Sequence, residues 1–422
     1  MTALKASGME WVGDIPSHWE VKPMFAVGNE CKQKNRDGFE ANLLSLSYGE
    51  IIEKDIESNS GLLPESFDTY QKVEPNDLVF RLTDLQNDKR SLRSARSNHS
   101  GIITSAYLTF RPTRCDSRYL AYLMRSYDLT KVFYSMGSGL RQSLKYSDFR
   151  RMPILLPPLE EQRAIADFLD RELEKIDELM HKQSKLLQLA KEWKQAAIDH
   201  AMDLKPEATQ IEFGKTKMKY VAKLNPSVPQ SLRANPDTEV SFMPMDFLSE
   251  PGQIYLGEGR TAEELIGSYS YFEDGDFLVA KVTPCFENGK GAVVMGALNR
   301  HGFGTTEVSV FRPKDASKTL PEYLYFVTMT SRFRRGGVGY MTGAGGLKRV
   351  PERFMKEFEF HLPATATQRA ILGELRQKLD DFNVVSSAAE QLISKLLELR
   401  NALVNEAVTG KISIGGSSNG RL

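Results

Sequence analysis

The sequence predicts an α+β fold: two α/β domains with pseudo-twofold symmetry, joined by two long antiparallel coiled-coil helices. Three observations predict it. The same blocks of sequence occur twice in the same order, each copy opens with short apolar runs, and each ends in a long heptad pattern.

In the first copy VEPNDLVF (73–80) is followed by SAYLTFRP, ending at Pro112, and by YLAYLMRS from Tyr119. In the second, FEDGDFLV (272–279) is followed by TEVSVFRP, ending at Pro313, and by YLYFVTMTS from Tyr323. Met136-Gly137-Ser138-Gly139 then matches Thr342-Gly343-Ala344-Gly345, and LPPLEEQRAI (156–165) matches LPATATQRAI (362–371). The offset drifts only from about 199 to about 206 residues, so these collinear matches read as a duplication.

Within each copy, runs such as DLVFRL (77–82) and EVSVF (307–311) are broken by Gly, Pro, Asn and Asp, which predicts strands and turns. Each copy ends in a helical pattern approached through a proline. From Leu169 the positions Leu173, Ile176, Met180, Gln183, Leu187, Ala190, Lys194 and Ala197 alternate four and three residues apart. From Leu375, the positions Leu379, Phe382, Ser386, Ala389, Ile393, Leu396, Arg400 and Leu403 do the same, so each helix carries a heptad seam. The first pattern runs without a proline from about Glu160 to Asp203, roughly 65 Å of helix. Two seams of like length are expected to pair with each other, with Trp193 and the polar residues Gln183, Lys194 and Arg400 as candidates to fix the register. The expected division is a first domain over 1–155, a spacer helix over 156–205, a second domain over 206–361, a second spacer helix over 362–412 and a flexible tail over 413–422.

At 422 residues, 41% apolar and 26% charged, the chain is expected to be a soluble, multidomain protein. Without a long apolar run or a secretory start, it is expected in the cytoplasm and away from membranes. Cys31, Cys115 and Cys285 are too scattered for a disulfide framework or a zinc knuckle. The zero net charge averages opposites: residues 81–151 hold 14 basic against 5 acidic side chains, 281–353 hold 12 against 5, and 154–204 between them hold 7 against 11. Two basic regions on one chain suggest two contacts with a polyanion.

Catalytic patterns fail one by one. GYMTGAGGLKR (339–349) lacks the Gly-Lys-Ser/Thr ending of a phosphate loop, and Gly214-Lys215-Thr216 has Thr209 where its first glycine belongs. The glycines 343, 345 and 346 are better suited to a tight turn beside basic residues. Pro236-Asp237 is not followed by the Glu-x-Lys or Asp-x-Lys of a magnesium nuclease, and Asn225-Pro226-Ser227-Val228 departs from the Asn/Asp-Pro-Pro-aromatic loop of a base methyltransferase. The histidines 18, 99, 181, 200, 301 and 361 lack metal spacing. The chain reads as a binder with no catalytic or metal site.

GMEWVGDIPSHW (8–19) resembles the opening of type I restriction-modification specificity subunits, PPLEEQRAI (157–165) resembles the start of that family's first conserved helix, and EAVTGKI (406–412) the end of its second. Two departures stand out: LPATATQR lacks the second proline and the acidic pair, and AAIDHAMDLK (196–205) lacks the Val-Thr-Gly-Lys ending. The resemblance implies a DNA sequence-specificity subunit, each of whose two target-recognition domains reads one half of a bipartite site. It implies partners too: double-stranded DNA, two methyltransferase subunits on the helices, and restriction subunits. S-adenosylmethionine, ATP and Mg2+ would be held by those partners, with no cofactor in this chain.

Duplex DNA needs lysines and arginines for its phosphates and a few donors for base edges. The candidates in the first domain are Arg81, Lys89, Arg90, Arg93, Arg96, Arg141 and Lys145. In the second they are Lys281, Arg300, Arg332, Arg334, Arg335, Lys348 and Arg349. The helix pair would act as a ruler that fixes half-site spacing. The alternative is a coiled-coil scaffold with protein-binding end domains, which the basic bias of both domains disfavours.

Overall fold

The computed structural model describes residues 3–36, 40–55, 66–85, 91–136, 143–203, 214–248, 252, 254–343 and 346–414. They form two compact units, Met1–Ser184 with Gln391–Leu422, and Lys185–Glu390. Each unit thus holds one repeat copy, the first part of its own long helix and the last part of the other. Most of the expected tail, residues 415–422, lies outside the described residues.

The two units repeat the same strand order. In the first, Leu108–Pro112 lies antiparallel between Gly28–Cys31 and Leu78–Phe80, and Leu78–Phe80 carries the edge strand Ser94–Arg96. In the second, Val308–Pro313 lies between Ala222–Leu224 and Phe277–Ala280, with Gly291–Val293 at the edge. A second sheet pairs Leu43–Ser47 parallel to Gly101–Ile103, flanked by Glu50–Lys54 and Gln71–Val73. Its counterpart pairs Glu239–Met243 parallel to His301–Gly304, flanked by Gly259–Thr261 and Ser270–Glu273. Leu78–Phe80 and Phe277–Ala280 are buried on both faces, which is why they read as continuous apolar runs.

The repeated blocks are repeated bonds. The Asp77 carboxylate accepts from the Glu74 backbone N–H at 2.9 Å and takes the Arg111 guanidinium bidentately at 2.7 and 2.8 Å. Asp276 accepts from Glu273 N–H at 2.8 Å and takes Arg312 at 2.8 and 2.8 Å. The residue before each aspartate is left-handed, φ +79° at Asn76 and +90° at Gly275, a conformation that selects Asn or Gly. Tyr119 and Tyr323 donate to the carbonyls of Leu155 and His361.

Both long helices, Leu159–Met202 and Thr365–Val408, have 44 residues. The glutamine of each QRAI block holds the helix start. Gln162 Nε2 donates to Pro157 O at 2.8 Å while its Oε1 accepts from Asp116 N at 2.9 Å. Gln368 Nε2 donates to Pro363 O and Lys318 O at 2.8 Å while its Oε1 accepts from Leu320 N at 2.9 Å. Gln368→Ala strips three backbone groups, one in a buried bond and two in part-buried ones, of their partner and is expected to cost roughly 1–3 kcal/mol, read by chemical denaturation of the whole chain; a loss within error would remove this role.

All the expected seam positions on both helices are buried or half-buried. In the first unit Leu169, Leu173 and Ile176 share a core with Leu396, Val404 and Ala407, and Arg400 Nε donates to Asp177 at 3.0 Å. In the second, Ile198 and Met202 share a core with Leu372 and Leu375, and the Lys194 ammonium lies 4.7 Å from the Phe382 ring centre. The start of one helix meets the end of the other in each unit, so the pairing is antiparallel. Trp193 departs from expectation: it is off the seam and 45% exposed, and it fixes no register.

The N-terminal motif has a structural use in the first unit. Met9, Val12, Ile15 and Trp19 are buried, Trp19 Nε1 donates to Glu161 at 3.0 Å, and His18 Nε2 lies 2.8 Å from the same carboxylate.

Candidate nucleic-acid interface

The strands that end at Phe80 and Ala280 deliver their following loops to equivalent places. Lys281 O accepts from Val350 N at 2.8 Å, as Leu82 O accepts from Leu144 N at 2.9 Å. In the second unit this brings 281–283 against 342–350: Thr283 N donates to Lys348 O at 3.0 Å, Lys348 N donates to Thr283 Oγ1 at 3.1 Å, and Thr342 and Arg349 exchange both backbone bonds. The turn between the last two passes through Gly343 (φ +146°) and Gly346 (φ +82°); a Cβ at Gly343 would stand 2.4 Å from Leu347 O. Gly345 lies outside the described residues.

Three expected cations therefore converge. Lys348 and Arg349 are exposed, Lys281 is half-buried, and Arg349 reaches Glu307 at only 3.4 Å. Burial pushes the Lys281 ammonium below the usual lysine range, opposed by Glu352 and Glu307 and assisted by Arg349. In the first unit Arg81 and the exposed Lys145 flank the matching Leu82–Leu144 contact. Lys89, Arg90 and Arg141 lie outside the described residues.

Other candidates stand elsewhere. Arg93 is fully buried, its guanidinium donating to Thr83 O at 3.2 Å, Asp84 O at 3.3 Å and Tyr134 Oη at 3.2 Å. Arg334 is 8% exposed and donates to Phe286 O at 2.9 Å over the Phe286 ring; burial pushes its pKa down to about 10. Neither can reach a phosphate without leaving the core, which corrects their expected role in DNA contact. Arg332 is exposed but engaged with Glu359 O and the Phe358 ring, while Arg335 is exposed one turn on. Arg96, paired opposite Leu78, and Arg300, whose carbonyl accepts from Asp274 N, lie at the other end of the strands that end at Phe80 and Ala280. Those strands separate them from the loop clusters by about 10 Å.

The local positive charge is also partly spent inside. Arg111 and Arg312 hold the buried aspartates, Arg118 binds Asp167 and Asp170, and Arg125 donates to Gly49 O and Ser94 O. Thr283 and Thr342, which frame the loop cluster, were missed by a search for charge alone; the repeat was the signal that could have found them. Among the described residues no group of His, Cys, Asp and Glu is arranged to hold a metal, the three cysteines are free, and no helix is long and apolar enough to cross a membrane.

A duplicated α+β unit carries a cationic loop cluster in each copy. Residues 102–189 match the family described as type I restriction modification DNA specificity domain. The Escherichia coli type I restriction enzyme EcoEI specificity subunit is 29% identical over 194 residues, covering 43% of this chain and 32% of that protein. The EcoAI specificity subunit of the same organism is 32% identical over 191 residues, covering 43% and 32%. The match thus spans about a third of the length of both relatives. A chain from a structural study of complex assembly and conformational transition of the type I R-M system superposes with a TM-score of 0.70 at 15% identity, covering 94% of this chain and 99% of that one, a likeness of fold. Over these stretches the chain is similar to type I restriction-modification specificity subunits.

Proposed function

We propose that this chain is the DNA-reading subunit of a type I restriction-modification enzyme. Each unit reads one half of a bipartite duplex site through its loop cluster, and the chain performs no chemistry itself. The observation that carries this reading is the placement of Lys281, Lys348 and Arg349 in one unit, and of Arg81 and Lys145 in the other, on the same loops of the same fold. Cations on loops held by a rigid sheet can set register on phosphates while neighbouring groups read base edges.

The partners are two methyltransferase subunits, joined by restriction subunits, and these hold S-adenosylmethionine, ATP and Mg2+. Support comes from a second apolar stripe on each long helix, off the seam: Leu179, Leu186 and Trp193 on one, and Val385, Leu392 and Leu399 on the other, all exposed. Each stripe has heptad spacing, and the two are related by the offset that relates Gln162 to Gln368. Equivalent surfaces suit two copies of one partner.

The helices set the unread spacer. Inserting one heptad into both is expected to lengthen the spacer between half-sites and leave each half-site unchanged. Mapping methylated positions in cells expressing the variant with its methyltransferase tests this; the original spacer would refute it. A gel shift with the methyltransferase present separates this reading from a protein-binding scaffold, which would leave DNA unshifted.

A further inference from the structure

The duplication provides an internal comparison, and one equivalent place differs in chemical character. In the second unit it lies between the edge strand Gly291–Val293 and the helix Pro321–Met329, and Tyr325 fills it. Its ring packs so closely over Gly291 that a Cβ there would stand 3.1 Å from Cε2. Val293 and Met329 flank the ring, whose buried hydroxyl has no hydrogen-bond partner among the described residues, and Val293 and Tyr325 also line a larger cleft with Glu322, Arg369 and Arg376.

The strand registers and the Tyr119/Tyr323 hydrogen bonds equate these residues with others in the first unit. Ser94 stands for Gly291, Arg96 for Val293, Ala121 for Tyr325 and Arg125 for Met329. Exchanging tyrosine for alanine empties the place, leaving a cavity of about 90 Å3 lined by Ser94, Arg96, Ala121, Tyr122, Arg125 and Arg400, among others. Ser94 is 2% exposed and its hydroxyl has no hydrogen-bond partner among the described residues. Arg125 is largely buried; burial pushes its pKa below the usual arginine range, and the facing Arg400 adds to this. The carboxylates of the neighbourhood are partly engaged: Asp177 with Arg400, and Asp170 with Tyr122 and Arg118. Asp128, more strongly than Arg400 acts, and Glu50 oppose this shift.

We propose that this cleft is a binding site for a compact oxyanion of the phosphate class. Three guanidiniums and an unused hydroxyl border one hole: Arg96 donates to Asn76 Oδ1, Arg125 to the Gly49 and Ser94 carbonyls and Arg400 to Asp177, and the five N–H groups of each guanidinium leave donors beyond those bonds. The volume corresponds to roughly three waters of liquid, which admits a phosphate group and little more. The site is independent of the DNA-reading loops, from which Arg96 is separated by the length of its strand.

The test is calorimetric titration of the full chain with inorganic phosphate, and in a second arm with adenosine monophosphate, against chloride at matched ionic strength. Saturable binding of phosphate is expected; equal or tighter binding of the nucleotide identifies a nucleotide-borne group, and weaker binding a free ion. Ser94→Gly with Ala121→Tyr rebuilds the plug of the second unit and is expected to abolish binding with the far-ultraviolet circular dichroism unchanged. Arg96→Gln, at a half-buried edge-strand position, is expected to weaken it at least about tenfold, should the plugged variant fail to fold. Phosphate heat no different from chloride, or binding that survives a folded plug or Arg96→Gln at full strength, overturns the proposal.

Discussion

Replacing Lys348 and Arg349 together by alanine is expected to weaken DNA binding by the assembled methyltransferase roughly ten- to a hundredfold at low salt, and to reduce the slope of log K against log salt by about two. Both side chains are exposed on a loop pinned by backbone bonds, so their removal deletes charge without unfolding its support. Arg349 is partly satisfied by Glu307 at 3.4 Å, so most of the loss should follow Lys348. Measurement at two salt concentrations checks it, and an unchanged slope would sink the assignment. Arg334→Ala predicts otherwise: its guanidinium serves Phe286 O in the core, so the substitution lowers stability and leaves the salt slope unaltered.

Asp276→Ala is expected to destabilise the second unit by about 3 kcal/mol. It leaves Arg312 without its bidentate partner and Glu273 N–H without an acceptor, and breaking such a pair at a buried carboxylate typically costs 3–5 kcal/mol. Arg312 still reaches solvent, with its side chain 24% exposed, which places the effect at the lower end. Urea denaturation of the whole chain gives the value, and a change within 1 kcal/mol would show that the pair is dispensable. Asp77→Ala is the matching change in the first unit.

The topology was legible because the duplication wrote it twice. Blocks such as EPND/EDGD and FRP stayed recognisable where everything between them diverged, and each marks a bond in the fold. The bonds themselves were not legible, since Asp77 and Arg111 lie on different strands. The heptad seams were readable because a 3.5-residue period survives polar interruptions such as Gln183 and Lys194. Trp193 misled because its size suggested the seam while its position is one residue away.

The candidate interface was legible only as charge. RFRR, 332–335, looks like one basic patch, but about 100° of rotation per residue turns Arg332 and Arg335 outward and Arg334, beside Phe333, inward. Arg93 precedes and Arg96 ends a three-residue strand, too short to show a period, so nothing in the letters told the fully buried one from the half-buried one. Which cations read bases depends on loop shape and water, and these leave no mark on composition.

The division of the chain bears on the order in which it acquires structure. The second unit is one uninterrupted stretch, Lys185–Glu390, whereas the first needs Gln391 onward to complete the core in which Val404, Ala407 and Val408 sit. On a ribosome the later-made unit can therefore finish folding first, while the earlier-made one waits for segments synthesised last. Its apolar sockets stay uncovered in the interval, the period in which chaperones would find this polypeptide.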